Sequence, residues 1–155
     1  MATRPSTTTG GGTPTPAPSS KPSPKASPTP TISGPQAVPP YAAASAAPIT
    51  SVAFQPDPDT SCTLNGACKV SVEIKFSSAQ SSNIAYTLKF FDRCTGKTTD
   101  LPGNNFTPPG FTTVDITTAG VQLPAGAKSA ALVAVTTTPS VAASPPLLLG
   151  GTSCS

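Results

Sequence analysis

Lys69-Val70-Ser71-Val72-Glu73-Ile74-Lys75-Phe76-Ser77 alternates polar and apolar side chains without a break. Successive side chains of a β-strand point to opposite faces, so Val70, Val72, Ile74 and Phe76 share one face. Charges and hydroxyls take the other. One dry face and one wet face is the pattern of a strand in an antiparallel sheet. No helical period fits the stretch. It sets the chain as all-β.

The same reading extends outward. Ile49 to Phe54 predicts a strand stopped by Pro56-Asp57-Pro58. Ser77 to Asn83 reads as a polar loop. Ile84, Tyr86, Leu88 and Phe90 then alternate with Ala85, Thr87, Lys89 and Phe91, and Thr95-Gly96-Lys97 turns the chain. Leu101 to Gly110 reads as a Pro/Gly/Asn-rich loop around Phe106. Phe111 to Thr117 predicts a strand with Val114 and Ile116 inward, which Val121 to Leu123 would continue. Ala130 to Thr137 is nearly continuous in apolar residues, which fits a central strand covered on both faces. Val141 to Leu149 predicts a last strand, and Pro145-Pro146 within it marks an edge or a bulge. No helix of normal length is predicted. About seven short strands between turn signals argue an antiparallel sandwich.

Composition changes near Pro48. Twelve of the 21 prolines lie at or before that residue. Proline fixes φ and lacks a backbone donor, so residues 1–47 are expected to form a disordered Pro/Ser/Thr-rich linker or stalk. Residues 48–155 are expected to form the domain. Thr13 to Pro30 favours an extended polyproline chain reaching on the order of 50 Å. Spaced serines and threonines there suit O-linked sugars.

Charge follows the same division. Arg4, Lys21 and Lys25 are the only charges of the tail, and together they account for the whole formal net charge of +3. In the domain, six cations balance six anions. So sparse a set of cations gives no nucleic-acid footprint. No run approaches the roughly 20 apolar residues of a membrane span. Met1 is followed by no apolar signal core. The chain is therefore expected to be the outer part of a longer protein, cut after a signal sequence or anchor.

Cys62, Cys68, Cys94 and Cys154 are even in number in a small domain without histidine. Zinc sites usually present two close cysteine pairs, and here only Cys62 and Cys68 are close. Two disulfides are expected, which places the domain outside a reducing cytoplasm. Three connectivities are open from sequence alone. Cys62–Cys68 is favoured because it closes a turn at Asn65-Gly66. Cys94–Cys154 would then hold the C-terminal strand.

Catalytic constellations are scarce. Without histidine there is no Ser/His/Asp triad and no Cys/His dyad. Asp57 and Asp59 are the only close carboxylates, read as a turn, with a weak calcium site as the alternative. Asp92 and Asp100 are read as partners in surface ion pairs with Arg93 and Lys97. Gly10-Gly11-Gly12 lacks the lysine and helix of a phosphate cradle. No catalytic residue, cofactor or metal is predicted. Phe106 and Phe111 are the expected exposed aromatics. They either cap the core or touch a partner, since loops at the end of a sandwich often carry function. Asn105-Phe106-Thr107 matches a glycosylation sequon, with Pro108 following.

The strand spacing from Pro48 to Ser155 resembles the immunoglobulin-like and fibronectin type III-like sandwiches. The antibody signature of a tryptophan and a facing cysteine pair is missing. The Pro/Thr/Ser stalk before a disulfide-bearing sandwich also resembles the outer part of membrane-anchored bacterial proteins, including receptor-type Ser/Thr kinases of actinobacteria. That resemblance implies a non-enzymatic extracytoplasmic domain that senses, binds or adheres, with an unknown protein or cell-wall ligand as partner. A structural, self-associating surface or filament subunit is the alternative, its arm around Val38, Tyr41 and Ile49 docking on a neighbour. An accessory carbohydrate-binding module of a secreted hydrolase is the third reading.

Overall fold

The computed structural model describes residues 34–155, and Gly12 alone before them. What was expected of the rest of residues 1–33 lies outside the described residues. Eight strands follow one another: β1 Ile49–Phe54, β2 Ser61–Cys62, β3 Cys68–Gln80, β4 Ile84–Asp92, β5 Thr98–Phe106, β6 Phe111–Val121, β7 Ser129–Thr138 and β8 Leu147–Gly150. Among the described residues there is no helix.

Two antiparallel sheets result. In the first, β3 lies between β6 on one side and β1 with β2 on the other. The second runs β5-β4-β7-β8. Val70, Val72, Ile74 and Phe76 face inward, as their alternation requires, and meet Ile84, Tyr86, Leu88 and Phe90 from β4 in one core. Both expected disulfides are present, Cys62–Cys68 and Cys94–Cys154.

The strand count is eight, against about seven expected, and two of the eight, the two-residue β2 beside the Cys62–Cys68 bridge and β5, were not among the expected strands. β3 continues to Gln80, where a polar loop was expected. The larger correction is β5. Leu101 to Gly110 was expected to be a loop, yet Thr98 to Phe106 pairs along β4. The register shifts opposite Tyr86 to Leu88, which marks an irregularity in the ladder. Gly103 sits there, and a Cβ on it would run into the Tyr86 carbonyl. Glycine is what lets the strand approach so closely. Pro102 is tolerated because β5 is an edge strand.

β7 is buried on both faces from Ser129 to Thr136. Leu132 and Ala134 belong to the central core. Val133 and Val135 point the other way, and Val38, Tyr41 and Ala42 pack against them. The cover is a strap, residues 36–46, which composition had grouped with the tail. Gln36 N donates to Arg93 O at 2.7 Å, and Arg93 Nε donates back to Gln36 O at 2.8 Å. The Tyr41 hydroxyl meets Thr98 Oγ1 at 2.7 Å. Ala143 N donates to Ala43 O at 2.8 Å, and Ser140 Oγ donates to Ala46 O. The strap thus crosses the outer face of the second sheet before the chain turns into β1.

One polar contact joins the two sheets inside. Tyr86 of β4 is 2% exposed. Its hydroxyl bonds that of Thr118 on β6. Burial pushes the phenol above the ordinary 10.0, against the opposing pull of that bond. The folded state therefore holds this proton longer than the unfolded chain does. Stability is fully present below about pH 10 and falls as pH rises beyond it. The Tyr86→Phe variant is expected to lose about 1 kcal/mol at neutral pH and to show a flatter alkaline fall, checked by urea unfolding across pH.

The disulfides should differ in weight. Cys94 and Cys154 are 60 residues apart, and Cys62 and Cys68 only 6. Loop-closure entropy gives about 4 kcal/mol for the long loop and about 2 for the short one. Serine replacement of each pair, followed by urea unfolding, is expected to give losses in that order.

Candidate functional site

The strand registers define two poles. The ends of β4 and β6 and the starts of β5 and β7 make one; the opposite ends make the other. At the first pole Cys94 holds Cys154, one residue before the C-terminus. Gln36 binds Arg93 at that pole too. Both ends of the described body therefore lie together. β1 itself begins at the far pole, and only the strap carries the chain back. Ten residue steps of extended chain reach roughly 33 Å, about the length of these strands.

Charge is segregated along this axis. Asp57, Asp59, Lys69, Asp92, Arg93, Lys97 and Lys128 lie on or beside the first pole. Asp92 caps its turn, with Oδ1 accepting from Cys94 N at 2.9 Å and Thr95 N at 3.2 Å. Lys89 pairs with Asp100 at 2.7 Å, so neither aspartate takes the ion-pair partner expected of it. Mid-strand, Glu73 lies opposite Asp115 in the ladder. Two like charges facing each other would repel. Gln55 Nε2 donates to both, at 3.1 and 2.9 Å, and Lys75 reaches Glu73 at 3.2 Å.

Among the described residues, the turns of the far pole carry no charge, with Lys75 and Asp115 standing just outside them. The pole is built from the turns after β3 and β5 and the segment after β7. Residues 76–88, 101–114 and 129–155 contain no Asp, Glu, Lys or Arg. Phe106 is 42% exposed, Phe111 48% and Val141 54% there. The expected choice for the two phenylalanines was core cap or open contact. Both rings are about half exposed, and the buried Pro108 between them fills the turn. Thr107 Oγ1 donates to Asn83 Oδ1 at 3.4 Å, tying the two turns together. Thr138 Oγ1 donates to Asn83 O and joins the third segment. Asn105 is exposed, and its side chain makes no hydrogen bond among the described residues.

Three shallow depressions lie elsewhere. One of about 280 Å³ runs beside the strap between Pro39, Tyr41 and Pro145. Two others flank Leu147: one of about 330 Å³ lies between β8 and the segment from Gln55 to Cys62, and one of about 200 Å³ lies between β1 and β8. The 330 Å³ depression is partly polar, but Gln55 in it is bonded to Glu73 and Asp115, and Thr60 to the Ser71 backbone. Asp57 and Asp59 are exposed on a turn in which Asp59 N donates to Pro56 O at 3.0 Å. Among the described residues no three of His, Cys, Asp and Glu gather as metal ligands do. Nor is any helix long and apolar enough to cross a membrane.

The chain matches no protein-family model, no curated protein and no solved structure. The far pole is the candidate site on geometry alone. Sequence reading found its two phenylalanines but not its neutrality, because the uncharged segments are far apart in the chain.

The strap is open to a direct check. A chain lacking residues 1–33, which keeps the strap, is the reference. Removing 1–47 bares Val133 and Val135 and is expected to cost on the order of 3 kcal/mol, with new binding of a hydrophobic dye. Urea unfolding of the two truncated chains makes the comparison.

Proposed function

We propose that this chain is a non-enzymatic, extracytoplasmic binding domain of immunoglobulin-like type, held by its N-terminal tail and contacting a partner with its far pole. The single observation that carries this reading is the opposition of the two poles. Attachment is at one, through Gln36 and the Cys94–Cys154 bridge. Exposed phenylalanines on uncharged turns are at the other. A partner seated there would cover Phe106, Phe111 and Val141, all large apolar side chains that are now exposed.

The compartment is inferred from the two disulfides, which persist in oxidising surroundings. The immunoglobulin-like type is supported by the chain path. It changes sheets after β3, after β5 and after β6, as Greek-key sandwiches do. A tail rich in Pro, Ser and Thr suits a spacer.

Light scattering on the oxidised full chain tests this against a self-assembling subunit. A mass near 15.3 kDa is expected. Particles many times heavier, lost when residues 1–47 are deleted, would replace the proposal with the structural reading. The full chain should also be retained on intact cells of its source, and the Phe106→Ala/Phe111→Ala double variant should not.

A further inference from the structure

We propose, independently of the far-pole contact, that the strap is an exchangeable arm. Two copies of this chain pair by trading residues 36–46, and each strap covers the other copy's β7. What fits that face is on view, because the strap already occupies it within its own chain. Val38, Tyr41 and Ala42 pack on Val133, Val135 and Ala143 in a small cluster apart from the central core. The arm can therefore leave without unpacking the two sheets. No residue from 36 to 46 is fully buried, and none belongs to a strand of either sheet. A segment held so lightly is among the first parts of a fold to open.

The hinge suits the exchange. Only Ala47 and Pro48 separate the strap from β1. The chain reverses there, with Ala46 N donating to Ile49 O at 3.1 Å and Ile49 N donating to Ala46 O at 2.7 Å. The residue before a proline favours extended backbone, so the same two residues can also run straight. Straightened, they carry the strap off its own sheet and onto a neighbour's, and short hinges invite such exchange. In a twofold pair Ala46 of each copy meets Ile49 of the other. Every strap bond is remade between chains, including those of Gln36 to Arg93 and Tyr41 to Thr98. The hinge stands beside Ser140, whose hydroxyl holds Ala46, and the next residue, Val141, is 54% exposed. Copies that meet hinge to hinge cover that side chain.

Concentration decides between the two forms, because the strap makes the same contacts in both. A two-residue hinge gives the strap a high effective concentration, so dilute chains stay closed. Chains crowded to roughly millimolar levels exchange.

The test holds the oxidised full chain at roughly millimolar concentration in urea just below its unfolding midpoint, then returns it to buffer. Light scattering behind a sizing column is expected to find a species of twice the 15.3 kDa mass that reverts to monomer on dilution. A photo-crosslinking residue in place of Tyr41 should join two chains in that species, and should link one chain to itself in the monomer. Tyr41→Phe removes the bond to Thr98. It should speed interconversion about fivefold and leave the paired fraction unchanged, since that bond is made equally in both forms. The Phe106→Ala/Phe111→Ala variant should pair as the parent does, so loss of the far-pole contact and loss of exchange are read separately. A mass that stays at 15.3 kDa throughout overturns the proposal. So does a paired species whose crosslinks stay within one chain, whose fraction moves with Tyr41→Phe, or which the phenylalanine variant abolishes.

Discussion

The structure depends on β7 being apolar on both faces. A strand with one wet face needs a single partner layer; this one needs two. The opposing sheet supplies the first through Leu132 and Ala134. The second cannot come from a third sheet in so short a chain. The strap supplies it by laying Val38, Tyr41 and Ala42 over Val133 and Val135. Burial of a few branched side chains is a large share of the net stability of a domain this size. So the position of the strap, and everything its path decides, follows from the composition of one strand.

Much of this was legible in the residues. Alternation from Lys69 to Ser77 located the central strand and its dry face, and the run Ala130 to Thr137 announced double cover. What covered it was hidden, because proline and alanine in residues 34–47 look like linker when counted by composition. Val38 and Tyr41 are too few to form a periodic signal. They bind because the sheet beneath them is already apolar. A sparse segment can be ordered by the surface it meets, and local pattern carries no record of that surface.

The loop expected at Leu101 to Gly110 failed for a related reason. Pro102, Gly103 and two asparagines are turn residues in isolation. On an edge strand, proline loses nothing that a ladder requires, and glycine relieves a close approach to the Tyr86 carbonyl. The candidate site shows the same limit. Phe106 and Phe111 were visible in the sequence, but neutrality of a pole is a property of three segments brought together by the registers of β4, β5 and β7. Asp92 and Asp100 were read as ion-paired with near neighbours, whereas Asp92 serves the backbone and Asp100 finds Lys89 across the ladder.

The strap also determines how the molecule would take a load. A pull on the N-terminal segment arrives first at the Gln36–Arg93 pair, and the bonds behind it open one after another toward Ala46. They open singly when the pull peels the strap from the sheet, whereas a pull along its length shares the load among them. Once the last has opened, the point of attachment has moved from one end of the domain to the other. Phe106 and Phe111 would then lie at the end from which the domain is pulled. A fold of modest size thus contains a compliant element in line with a stiff one, and the compliant element sets which way the stiff one faces.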